Sequence, residues 1–215
     1  MLKFKREKKG VITQGFNQNL NEMYAKQGQS GHSGIDWVIG HGRNVSVDNA
    51  GYVYKTFKPF QLDSNWSAVY MLCETKTPGL LMEITYGHLL SQAVKRGETI
   101  GEDQVIGKQG NYGNVFSGSR QITVAEQKAG STRGSHVHEN WRPVTLVDKT
   151  TRGMHYLRDE DGKRAKYKGK YLQIINKDNG VKGCIDPTAN RTKVYLQTVI
   201  ALMQLQLSLL TSKVK

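Results

Sequence analysis

Gly31-His32-Ser33-Gly34-Ile35-Asp36 and Gly134-Ser135-His136-Val137-His138 decide how this chain is read, with Tyr86-Gly87-His88-Leu89 lying between them. In chain order they present HxxxD, a lone histidine and HxH. Four imidazoles and one carboxylate suit a borderline-soft cation such as zinc. A catalytic zinc takes three protein ligands and keeps a fourth position for water, so five groups leave two imidazoles spare for proton transfer. The ion lowers the pKa of that water to roughly 7, which makes hydroxide available near neutral pH.

Spacing places these groups. His136 and His138 are two apart, so on a strand they share a face. His32 and Asp36 are four apart, which is same-side spacing on a helix or a strand. Gly31 and Gly34 oppose a helix, and Ile35-Asp36-Trp37-Val38-Ile39 reads as a strand. The first pair is therefore expected at a loop-to-strand junction and the second on a neighbouring strand. The helical HExxH signature is absent, so the helical metalloprotease folds find no support.

Working outward, Val11-Ile12-Thr13-Gln14-Gly15-Phe16 reads as a strand and residues 17–30 as a polar loop. Residues 45–54 alternate around Ala50-Gly51, which predicts a hairpin turn. Residues 67–75 and 80–86 are apolar runs joined by Lys76-Thr77-Pro78-Gly79, a strong turn signal. Gln104-Val105-Ile106 and the strand carrying His136 are expected to complete an antiparallel sheet whose groove accepts an extended peptide. Residues 149–182 are charged and Gly-punctuated, with Tyr171-Leu172-Gln173-Ile174-Ile175 as one strand. A hairpin flap, a wall-binding surface and a surface insertion without a role all remain open for that stretch. Residues 190–212 predict a helix, with Leu196, Ile200, Met203, Leu207 and Leu210 on one stripe. The stripe either packs on its own domain or mediates oligomerisation.

The fold class expected is β-rich and mainly antiparallel, with α+β character at the periphery. The division expected is a frayed basic N-terminal arm over 1–9, one domain over 10–190 and a C-terminal helix and tail over 191–215. Insertions fall near 111–133 and 148–182. At 215 residues one well-buried domain is the expected size.

Lys and Arg number 31 against 18 Asp and Glu, a formal charge of +13. Such a field favours polyanions, including anionic wall polymers, or simply keeps the surface solvated. No nucleic-acid-binding motif accompanies it, so no specific nucleic acid is expected. Two distant cysteines, Cys73 and Cys184, make no disulfide scaffold and are read as buried thiols, Cys184 being a weak candidate ligand. Residues 1–9 are basic with no apolar run behind them, which is not a secretory signal. No segment is long and apolar enough to be read as a membrane span.

At these residues the chain resembles the lysostaphin-type, or LytM-type, zinc metalloendopeptidases, which cut the peptide part of bacterial peptidoglycan. The family's HxGxD is matched by His32-Ser33-Gly34-Ile35-Asp36 and its HxH by His136-Val137-His138. The histidine after an aromatic is matched by Tyr86-Gly87-His88. Val94-Lys95-Arg96-Gly97-Glu98 and Ile106-Gly107-Lys108-Gln109-Gly110 follow in the family's order. The likeness runs from about Gly10 to Trp141, with a closing piece at Ile185-Asp186-Pro187. It implies one zinc ion per chain held by His32, Asp36 and His138. His88 and His136 would orient or deprotonate the attacking water and stabilise the tetrahedral intermediate. It leaves the substrate-binding residues and the bond cut undefined.

The chain departs from the family pattern in the long stretch after Asn111-Tyr112-Gly113-Asn114, in Glu139 directly after His138, and in the insertion over 148–182. The resemblance implies action at the cell wall, and with no secretory signal in view and Met1 at the start, a phage-delivered, virion-associated or lysis-released enzyme is expected. The alternative function is a non-catalytic polyanion- or wall-binding protein that keeps the LytM-like fold. A purely structural zinc would be closed by four ligands, which the two spare imidazoles disfavour.

Overall fold

Short runs rich in β-branched and aromatic residues, punctuated by glycine-containing turns, fold here into strands. The computed structural model describes residues 2–18, 23–26, 28–60 and 65–188. In chain order the strands are β1 (Val11–Gln14), β2 (Ile35–Val38), β3 (Asn44–Ser46), β4 (Gly51–Phe57), β5 (Ala68–Glu74), β6 (Leu80–Gly87) and β7 (Leu89–Gln92). There follow β8 (Thr99–Ile100), β9 (Val105–Gln109), β10 (Phe116–Ser117), β11 (Arg120–Gln121), β12 (Val137–Val147), β13 (Lys166–Tyr167) and β14 (Lys170–Ile174). Two short helices, α1 (Met23–Lys26) and α2 (Val124–Lys128), interrupt them. The helix expected over 190–212, with its apolar stripe, lies outside the described residues. Among those residues no helix is long and apolar enough to cross a membrane.

The β-rich, antiparallel class expected from the sequence is the one observed. The main sheet runs β1-β2-β12-β6-β5-β4-β8, with β14 also on β12 and β13 on β14, and a second sheet runs β3-β9-β7. All eight residues of β6 are buried, so both faces of the main sheet are covered at its centre. On one face Met82, Ile84 and Tyr86 pack with Val45, Val47, Leu89 and Ile106 from the second sheet and its flanks. On the other face Leu81 joins Tyr54, Leu72, Val144, Leu157, Ala165 and Leu172. Each Leu or Val so buried stabilises the fold by about 1.5–3 kcal/mol.

That second cluster shows what residues 149–182 pack against. β14 pairs with β12 along Val144–Val147, beyond the point where the β2 pairing ends at Ile35 and Glu139. Leu157, Ala165 and Leu172 roof the sheet. The segment is part of the core, because without it Val144, Leu81 and Tyr54 would face water.

The β5–β6 hairpin forms as Lys76-Thr77-Pro78-Gly79 requires, with Gly79 at φ +76° and Leu80 N–H donating to Thr77 O at 3.1 Å. The hairpin expected at Ala50-Gly51 does not form. β3 pairs with β9 and β4 with β5 and β8, so residues 47–50 cross between sheets. Gly51 serves close approach instead: an added Cβ would lie 2.8 Å from Leu72 O. Likewise β9 belongs to the second sheet and has no ladder with the His136 segment, which it meets through a Gly110–His136 bridge just past its end and through Gln109 Nε2 donating to Ser135 O (3.2 Å) and Oγ (3.1 Å). The sheet expected to contain both is thus two sheets.

The N-terminal arm is docked rather than frayed. Lys3 and Lys5 backbone N–H groups donate to Asn49 Oδ1 (2.8 Å) and Asp48 Oδ2 (2.9 Å), and Leu2 and Phe4 pack on the core. Lys9 is fully buried, its Nζ 3.0 Å from Asp48 Oδ2 and 2.9 Å from Glu139 Oε2. The ammonium also lies 4.7 Å from the Trp37 ring centre. Burial opposes that charge, but the Glu139 and Asp48 carboxylates outweigh it and raise the Lys9 pKa. Glu139 is completed by N–H donation from Trp37 (3.1 Å) and Trp141 (2.8 Å).

Removing one partner from such a cluster leaves buried charge uncompensated. Lys9→Ala is expected to lower stability in urea denaturation by about 3–5 kcal/mol, against less than about 0.5 kcal/mol for the exposed Lys3→Ala. Similar midpoints for the two variants would rule out an anchoring role for Lys9.

Candidate metal centre

Register builds the site. Asp36 on β2 stands opposite His138 on β12, and His138 stands opposite Gly87 on β6, so one row crosses three strands. His32 arrives from the loop before β2, held by Asn17 N–H donating to His32 O at 2.8 Å and His32 N–H to Gln18 O at 3.1 Å. Gly34 lets that loop press on β12, since an added Cβ would collide with the Glu139 carbonyl. A side chain there would push β2 away from β12.

Three donor atoms meet. His32 Nε2 is 2.8 Å from His138 Nδ1 and 3.1 Å from Asp36 Oδ1, and His138 Nδ1 is 3.0 Å from Asp36 Oδ1. Donors about 2.1 Å from a tetrahedral zinc stand about 3.4 Å apart, and the observed triangle, with edges of 2.8, 3.0 and 3.1 Å, is somewhat tighter than that. Donor type and spacing both fit zinc.

Outer partners set the tautomers. His32 Nδ1 lies 3.2 Å from Gly15 O, so it carries the proton and leaves the Nε2 lone pair for the cluster. His138 Nε2 is 3.4 Å from the Asn140 amide nitrogen, while Asn140 Oδ1 is buried with no partner among the described residues. Turning that amide over lets Oδ1 accept from His138 Nε2–H, which satisfies both groups and directs the Nδ1 lone pair inward. Burial works to raise the Asp36 pKa, yet His136 and hydrogen bonds from His138 and His32 hold it well below the usual carboxylate range. Burial pushes His138 down despite Asp36, and pushes His88 well down with help from His136 and His138. Near neutral pH the site therefore holds one carboxylate and at least two neutral imidazoles.

The remaining two histidines stand beside this triangle. His136 Nδ1 lies 2.7 Å from Gly134 O and its Nε2 is 3.5 Å from Asp36 Oδ2. His88 Nδ1 lies 2.7 Å from Tyr112 O, and its ring centre is 4.5 Å from that of His136 and 6.2 Å from that of His138. In both rings Nδ1–H is spent on a backbone carbonyl, and Nε2 is the nitrogen left for the site. Trp66 meets the His88 ring edge-on at 4.8 Å. Gly113, at φ +107°, makes room, because an added Cβ would lie 2.8 Å from Trp66 Cε3 and 3.1 Å from His88 Nδ1.

The stretch over 111–133 is tightly folded. Gln127 Nε2 donates to Asn111 O (2.7 Å) and Gly113 O (2.8 Å), and a capping box between Thr123 and Glu126 starts α2. This loop carries Tyr112 O to His88.

All five histidine and aspartate positions singled out in the sequence come together. His41 lies aside, Nδ1 3.0 Å from Ser135 Oγ, and His155 is exposed. Cys73 and Cys184 are free buried thiols whose pKa values burial raises, Cys73 to about 12. Cys184 sits against Arg142 Nη2 at 3.6 Å and stands outside the metal-binding group. Tyr86, the aromatic before His88 in the chain, is wholly buried on the opposite face.

Two neighbours escaped the sequence reading. Asn140 extends the alternation of His136 and His138 by one step, a signal that was available. Tyr24 carried none: its ring lies 5.8 Å from His32 and its hydroxyl accepts from Gln14 Nε2 at 2.8 Å. Burial and the Asp36 charge push the Tyr24 pKa up to about 12.

No protein-family model matches the chain and no curated protein matches it. Solved structures similar to it include peptidases of the M23/lysostaphin type. One is a catalytic-domain variant of the prophage-encoded M23 protein EnpA from Enterococcus faecalis, at 19% identity over 61% of this chain and 79% of that one, TM-score 0.40. Another is the catalytic domain of the antimicrobial peptidase lysostaphin from Staphylococcus simulans, at 18% identity over 62% and 78%, TM-score 0.39. A zinc-containing peptidase from Vibrio cholerae is 21% identical over 61% and 33%, TM-score 0.41. The overlap is partial, and the reading of the site rests on its own residues.

Asn140→Ala is expected to weaken zinc binding by about 10- to 100-fold in a chelator-competition titration; unchanged affinity would remove Asn140 from the site. For the metal-free chain, His88 and His138 titrate lower folded than unfolded. Below about pH 6.5 the unfolded state then binds more protons, so stability falls as pH falls and is level above about pH 7. Urea midpoints measured from pH 5 to 8 check this, with His88→Gln expected to flatten the slope.

Proposed function

We propose that this chain is a zinc-dependent endopeptidase that hydrolyses peptide bonds in bacterial peptidoglycan. One observation carries the reading: His32, Asp36 and His138 present three inward lone pairs about 3 Å apart, with two further imidazoles beside them. Zinc held there by those three side chains would polarise the scissile carbonyl and acidify the attacking water. The rest falls to the protein. Asp36 stays ionised and balances part of the cation's charge. His136, whose Nε2 lies 3.5 Å from Asp36 Oδ2, takes the proton from the attacking water and returns it to the leaving amine. His88 is kept neutral by burial, so its Nε2 accepts a hydrogen bond that orients the attacking water. Trp66 shields the outer edge of His88 from solvent.

Peptidoglycan is the substrate that the order of HxGxD, His and HxH implies, and the +13 charge suits an anionic wall. Action at the wall with phage delivery is part of the same proposal, as is one zinc per chain.

Zinc is expected at about one ion per chain, and zinc-loaded protein is expected to clear purified walls until a chelator is added. Asp36→Ala should lose both zinc and activity. His136→Ala should keep zinc while losing about 10²- to 10⁴-fold in rate, the usual span for a proton-transfer group. Walls left turbid by zinc-loaded protein would refute the enzyme.

A further inference from the structure

β12 carries more than the metal site. His138, Asn140 and Arg142 occupy alternate positions opposite Gly87, Thr85 and Glu83 of β6, so they share one face. At about 3.3 Å per residue Arg142 stands about 13 Å from His138 along that face. It borders a cavity of about 500 Å³ lined also by Gly28, Lys177, Asp178, Gly180 and Lys182. Ser30 N–H donates to Gly180 O at 2.8 Å, which ties this wall to the loop that ends in His32. The cavity thus lies at the end of the metal-bearing face where the 148–182 segment roofs the sheet.

Arg142 is held but incompletely paired. Its Nη1 donates to Glu83 Oε2 at 2.8 Å, and the other Glu83 oxygen accepts from Tyr54 OH. Nη2 meets only Cys184 Sγ at 3.6 Å, and Nε is buried with no acceptor among the described residues. A thiol is a weak acceptor, so the guanidinium retains donor capacity beyond its Glu83 pair. Two ammonium groups line the same cavity against one acid, Asp178. Burial, and then the nearby Arg142 charge, lower the Lys182 pKa.

We propose that this cavity is a specificity subsite that binds a carboxylate of the substrate about four residues from the bond cut, through Arg142, Lys177 and Lys182. The distance follows from the spacing along β12 and the similar rise of an extended peptide. The proposal rests on the peptidase reading above, and its test separates the two.

Purified walls with free carboxylates, and the same walls amidated with carbodiimide and ammonia, are offered to zinc-loaded protein. The wild type is expected to cut the free-carboxylate walls about tenfold faster, the scale of one charge-assisted contact. In the double variant Lys177→Gln/Lys182→Gln that ratio should fall to about twofold or less. The lysine pair is preferred because Arg142→Gln would strand Glu83 in the core. Equal rates on both walls, or an undiminished ratio in the double variant, would overturn the subsite. If neither wall is cut, the peptidase reading fails and binding decides the subsite alone. Amide shifts at Gly180 and Lys182 are then followed with acetyl-Ala-Glu-Ala-amide, its Gln counterpart and inorganic phosphate. Saturable shifts with the Glu peptide alone, lost in the double variant, support it. Equal response to Glu and Gln, or tighter binding of phosphate, overturns it.

Discussion

The pairing of β2 with β12 that sets Asp36 opposite His138 is the constraint on which the remaining geometry depends. Strand periodicity makes this pairing act on two faces at once. His138 turns one way into the metal cluster, and Glu139, one residue on, turns the other way to meet Lys9, Trp37 and Trp141. The interior ion pair therefore fixes the backbone that positions the ligands. Gly34 is the steric condition for the arrangement, because only a hydrogen fits between the incoming loop and the Glu139 carbonyl.

How much could be read from residues alone follows from the range of each interaction. His32 and Asp36, or His136 and His138, are neighbours whose relative direction is set by local periodicity, and they landed as spacing required. The Lys76–Gly79 turn is likewise local. Residues 1–9 failed as a frayed arm because the partners of Lys9 are Asp48 and Glu139, 39 and 130 positions away, and a basic run carries no mark of them. Ala50-Gly51 failed as a turn because the same glycine that suits a bend also suits a strand pressed against Leu72 O. Trp66 and Tyr24 reach the site through tertiary packing, which no motif spacing encodes.

The 148–182 segment shows how an addition can become indispensable. It contributes Leu157, Ala165 and Leu172 to a second cluster on the face that also carries the metal ligands. That face is thus divided, one half polar and built for chemistry, the other apolar and roofed. Arg142, Glu83 and Tyr54 form the boundary, a buried polar network standing between the two regimes.

β12 is flanked throughout by other backbone. β6 lies on one side, and β2, Ile185 and β14 follow one another along the other. An extended ligand consequently finds no free ladder of N–H and C=O groups on this strand to dock against. It has to lie over side chains, so recognition can drift by single exchanges on that surface while the hydrogen-bonded scaffold beneath stays intact.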